Sequence, residues 1–96
     1  MVKVVASFRV KKDSLDEYMK LGKEVVEKTN ALDEGCISYE LCQNTEDPLG
    51  FVMLEAWSSQ EALAAHMQSA HFQALVPKMD GLCEDGTTIA LYNKLF

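Results

Sequence analysis

Glu55, Trp57, His66 and His71 all fall within one stretch, Phe51 to Phe72, which reads FVMLEAWSSQEALAAHMQSAHF. An imidazole takes or gives a proton near neutral pH, so His66 is a candidate general base or acid. Glu55 alternates with Met53 and Trp57 and shares their strand face. A carboxylate among such neighbours is desolvated, which raises its pKa or pairs it with a cation or an imidazole. Trp57 offers an aromatic wall for a flat ligand. Each residue also has a plainer reading. The histidine can be satisfied within the core, the carboxylate can reach solvent or a dimer salt bridge, and the tryptophan can simply pack.

His71 lies five residues after His66. In an unbroken helix that spacing turns its side chain by about 140°, unlike the i, i+4 pair that clamps a metal. With no carboxylate in the same helical register, the spacing predicts no metal site. Tyr39, on the apolar face of an earlier alternating segment, is placed to present a hydroxyl to the same space. Asn93 stands among Ile89, Leu91 and Leu95, and an amide on such a face needs either a protein partner or a ligand. No phosphate loop, nucleophile elbow, dinucleotide fingerprint or haem-attachment motif is present, so no cofactor is expected.

These residues need elements to position them. Val2, Val4, Ala6, Phe8 and Val10 form one face of an alternating first strand. Ser14-Leu-Asp-Glu17 reads as a capping box. A helical stripe follows, through Leu15, Tyr18, Met19, Gly22, Val25, Val26 and Thr29, running to about Asn30 and stopping before Gly35. Cys36 to Gln43 alternates again, with Ile37, Tyr39 and Leu41 on one face. Asn44 to Gly50 has turn chemistry, and Phe51 to Trp57 is the third strand. Ser58-Ser-Gln-Glu61 predicts a second capped helix. Ser69 predicts a further helix start, with Pro77 interrupting that helix. Thr87 to Phe96 alternates as the last strand. The order β-α-β-β-α-β predicts an α+β fold, a ferredoxin-like sandwich, as one domain over residues 1–96. Both faces of the third strand are largely apolar, and helices cover only one. The other face predicts a homodimer packed sheet to sheet.

Nine basic against fifteen acidic residues give a net charge of −6. The absence of a basic patch argues against nucleic acid and against an anionic membrane surface as partners. Three cysteines, Cys36, Cys42 and Cys83, make an odd number with no C-x-x-C spacing. With no signal-peptide pattern and no long apolar run, the expectation is a soluble protein in a reducing cytoplasm.

Glu34-Gly-Cys-Ile-Ser-Tyr39, Glu55-Ala-Trp57, Glu61-Ala-Leu-Ala-Ala-His66 and Ser69-Ala-His-Phe72 together resemble the antibiotic biosynthesis monooxygenase (ABM) family. The resemblance runs from Val2 to nearly the end of the chain. It implies a dimeric α+β barrel, with a pocket between sheet and helices in each subunit. Within that family, some members oxidise quinols or polycyclic phenols with O2 and neither metal nor flavin. Others degrade haem, and one branch processes the phosphorylated autoinducer-2 signal. Trp57 matches the pocket tryptophan of the oxygenase and haem-degrading branches. Val5-Ala-Ser-Phe8 lacks the haem-degrading branch's first-strand asparagine, and Phe51 to Ala56 lacks the asparagine of the polyketide oxygenases. Leu91-Tyr-Asn-Lys-Leu95 and the two histidines are similar to the autoinducer branch.

The resemblance implies a cofactor-independent monooxygenase-like enzyme acting on a small quinol or phenol. His66 is its expected base, with Glu55 tuning it. Trp57, Tyr39, Met53 and Phe72 would form the pocket, and His71 or Asn93 would hydrogen-bond the oxyanion. An isomerase for a small phosphorylated signal and a non-enzymatic dimeric binding module are the alternatives.

Overall fold

Alternation in the first strand is realised as a central strand, β1 (Val2–Arg9), in a computed structural model that describes all 96 residues. A short 3-10 turn (Lys12–Ser14) leads into α1 (Leu15–Leu32), followed by β2 (Cys36–Gln43) and β3 (Gly50–Trp57). Two short helices, α2 (Gln60–Met67) and α3 (Ala70–Gly81), precede β4 (Thr88–Asn93). The four strands are antiparallel in the order β2-β3-β1-β4, the ferredoxin-like plan.

Register decides which residues meet. Val2 lies opposite Trp57 and Asn93, Val4 opposite Glu55 and Leu91, and Ala6 opposite Met53 and Ile89. Tyr39 lies opposite Glu55 on the other side of β3. Cross-strand neighbours point to the same face. Val4, Ala6, Tyr39, Phe51, Met53 and Trp57 therefore share the face that packs against Tyr18 and Val25 of α1 and Leu75 and Met79 of α3. The opposite face has Val5, Val52, Leu54 and Ala90 down its centre.

Several local expectations are corrected. Ile37 does not share a face with Tyr39 and Leu41. The β2–β3 register shifts between Cys36 and Ser38, and this bulge leaves Ile37 52% exposed. Ser14 makes no side-chain cap bond: at φ −112° and ψ 7° its backbone still belongs to the 3-10 turn, with its N–H on Lys11 O at 2.9 Å, and lacks the extended conformation of a capping residue. The cap of α2 is Ser59, not Ser58: its Oγ accepts the Ala62 N–H at 3.1 Å. Pro77 does not interrupt α3, which continues four residues beyond it, held by Leu75 and Met79 buried on either side. The last strand ends at Asn93, and Leu95 and Phe96 are exposed. The three cysteines are unpaired. No helix is long and apolar enough to cross a membrane.

Candidate active site

The joint between α2 and α3 builds the site. Ser69 caps α3 by accepting the Phe72 N–H at 3.2 Å, and its own hydroxyl donates to His66 O at 2.6 Å. The chain leaves α2 and restarts as α3 around this serine, so the turn predicted for an unbroken helix does not apply. His66 and His71 come together, with ring centroids 6.0 Å apart.

Both histidines meet one carboxylate. Asp33 Oδ2 lies 2.6 Å from His66 Nδ1 and 3.0 Å from His71 Nε2. A carboxylate only accepts, so each of these ring nitrogens carries its proton toward Asp33. His66 Nε2 then keeps its lone pair. That atom is buried and makes no bond to any protein group. Burial holds the His66 pKa below its ordinary value; the bond to Asp33 opposes that shift, and His71 adds to it.

Around His66 the packing is aromatic. Its ring centroid lies 4.6 Å from Trp57, 5.1 Å from Tyr39 and 5.0 Å from Phe72. Glu55 is not bound to His66: its Oε1 accepts the Trp57 Nε1–H at 2.9 Å. Burial pushes the Glu55 pKa up to about 7, with the indole bond pulling the other way. Burial also pushes the Tyr39 phenol well above its ordinary value.

A cavity of ≈ 770 Å³ opens beside this cluster, between the sheet and α2–α3. His66, Glu55, Tyr39, Met53 and Phe72 line it, on a floor of Val4, Ala6 and Phe8. Three expected residues do not line it. Trp57 is 0% exposed and serves as backing for His66 rather than as a wall. His71 stands behind the cluster, with Nε2 turned to Asp33, so it is not placed to meet an oxyanion in the cavity. Asn93, at the end of edge strand β4, is exposed, so water satisfies its amide.

Asp33 escaped the sequence reading. It is the C-cap of α1, distant in sequence from both histidines. One signal was available: an acid at a helix C-terminus opposes the macrodipole, which favours cations there. An unfavourable charge at a cap asks for another partner. The expectation of no metal rests on the five-residue spacing in an unbroken helix and on the lack of a close carboxylate; the break between α2 and α3 and the presence of Asp33 remove both premises. Asp33, His66 and His71 bring three ligand-type atoms within 4.8 Å of one another. Their 2.6 and 3.0 Å contacts are those of N–H donors to a carboxylate.

Relatives share this architecture. "Putative monooxygenase YcnE" of Bacillus subtilis (strain 168) is 32% identical over 78 residues, 81% of each chain. The crystal structure of a conserved protein from Methanosarcina mazei Go1 superposes with a TM-score of 0.92 at 35% identity, covering 98% of this chain and 92% of that one. A crystal structure described as an antibiotic biosynthesis monooxygenase gives a TM-score of 0.93 at 33% identity, with 99% of both chains covered. The family model described as "Antibiotic biosynthesis monooxygenase" matches residues 1–78, which hold β1, the Asp33 clamp, both histidines and most of the cavity wall. On these grounds the chain belongs to the antibiotic biosynthesis monooxygenase family.

Proposed function

We propose that the protein is a monooxygenase-type enzyme that oxidises a small quinol or phenol with O2 and needs no bound cofactor. One observation carries this reading: His66 lines an apolar cavity with its Nε2 lone pair unpartnered by any protein group, while Asp33 fixes the other ring nitrogen. His66 accepts the proton of a ligand hydroxyl. Tyr39, Met53 and Phe72 hold the resulting anion in a water-poor space, and electrons pass from it to O2. The substrate supplies all four electrons: a quinol and O2 yield a hydroxyquinone and one water. One oxygen atom enters the product, and the other leaves with the two hydrogens the substrate loses. Glu55, protonated through much of the range below about pH 7, is the proton donor to the departing oxygen.

A phosphorylated substrate finds less support. No lysine or arginine lines the cavity, whereas Glu55 and Asp80 do, and a phosphate needs cationic donors. The apolar open sheet face supports a homodimer joined through it.

The deciding experiment is oxygen uptake by the purified protein with reduced naphthoquinols and hydroxyphenols, with a chelator present. Uptake above the autoxidation blank is expected, unchanged by the chelator. The His66→Ala variant should lose about 10²–10⁴-fold in rate. Binding of the same compounds without any uptake would instead identify a binding module.

A further inference from the structure

The cavity has a second polar point on its wall. Tyr18 of α1 lines it, yet the Tyr18 hydroxyl is buried and bonds to no protein group. The Tyr18 ring packs on Phe51 at 5.1 Å, and Phe51 lies opposite Phe8 on the cavity floor. His66 packs on Trp57, six residues further along β3. Tyr18 is also near enough to Tyr39, whose ring lies 5.1 Å from His66, to affect its ionisation. Tyr18 and His66 thus stand at separate points along the wall of one cavity. Asp80 and Thr87 also line it, and Asp80 is near enough to Tyr18 to affect its ionisation.

A buried hydroxyl without a partner is unfavourable, and phenylalanine would keep the ring contact with Phe51 without that cost. Packing therefore does not account for the oxygen. Burial, with Cys83 and Asp80 nearby, keeps the phenol protonated well beyond its ordinary range, so it is available as a donor.

We infer that Tyr18 is the centre of a distal hydrogen-bonding subsite, with Asp80 on its rim, that recognises an oxygen substituent at the far end of a ring-shaped ligand whose reacting hydroxyl meets His66. The subsite rests on the reading of this cavity as the ligand site. It selects ligands oxygenated at both ends over those oxygenated at one, because only the former satisfy the Tyr18 hydroxyl.

Calorimetric titration with naphthalene-2,6-diol and with 2-naphthol tests this without turnover. Wild-type protein is expected to bind the diol about five- to tenfold more tightly than the mono-ol, the value of one hydrogen bond. In Tyr18→Phe that preference should fall to about one. Thermal melting of the variant should show no loss of stability, since the hydroxyl has no protein partner to lose. Equal wild-type affinities for the two compounds, or a preference that survives in Tyr18→Phe, would overturn the subsite. A marked drop in melting temperature would show that the hydroxyl serves the fold, and would overturn it too. Failure of both compounds to bind would overturn the phenol-site reading and the subsite together. Binding with the expected preference but no oxygen uptake would leave the subsite standing and remove only the oxygenase reading.

Discussion

Asp33 holds His66 through Nδ1, which leaves Nε2 as the only ring nitrogen able to accept a proton from a ligand. Its negative charge also raises the basicity of an imidazole that burial otherwise weakens. Asp33→Asn removes the charge and replaces an acceptor-only carboxylate with an amide that can also donate, so the His66 tautomer is no longer fixed. The expected result is a turnover rate lower by about 10²-fold or more, with the acid limb of the pH–rate profile moved to lower pH. Steady-state rates across pH 5–9 measure both. Glu55 gives a stability test. Folded, it holds its proton up to about pH 7; unfolded, it releases it near its ordinary value of 4.5. Between these values the folded state binds more protons, so its stability falls as pH rises through the window and levels off above it. Glu55→Gln should therefore gain up to about 3 kcal/mol at pH 8 and little at pH 4, as read from urea melts. His66 acts in the opposite sense. Its folded pKa is depressed, so stability falls as the pH drops from about 6.5 toward the lower folded value.

Gly35 links an element boundary to the chemistry. It sits just after the α1 C-cap, at φ 78°, two residues from Asp33. A Cβ there would lie 2.6 Å from Ala62 Cβ and 2.6 Å from Ser58 Oγ, where α2 begins. Gly35→Ala thus combines left-handed backbone strain with a clash against an atom that has no rotamer to escape by. The expected cost is about 2–4 kcal/mol, seen as a lower melting temperature. Activity should fall with it, because the strain moves Asp33. The neighbouring sequence shows what is legible at this scale. The alternation of β1 and β3 and the serine before α3 are read directly, because each depends on residues a few positions apart. The bulge at Ile37 and the persistence of α3 through Pro77 depend on what packs around them. The Asp33 clamp is harder still. It joins the end of one helix to the break between two others, and no local pattern encodes that meeting.

At the scale of the whole molecule, the helices cover one sheet face and leave the other open, with an apolar centre at Val5, Val52, Leu54 and Ala90. Leu54, near its centre, is 37% exposed. In the proposed dimer this face is the joint. Leu54→Glu would set two carboxylates against each other in a desolvated interface. The expected outcome is a shift from dimer to monomer at micromolar concentration, read by sedimentation or light scattering, with the single-chain fold retained. A wild-type protein that is already monomeric would remove the dimer. The chain also holds a single tryptophan. That indole packs, tilted, on the His66 imidazole at 4.6 Å and donates its N–H to Glu55 at 2.9 Å. Light absorbed selectively by tryptophan is therefore deposited against both candidate proton-carrying groups at once. The emission of this protein should report their protonation, with its colour and lifetime expected to change through a pH titration with no label attached.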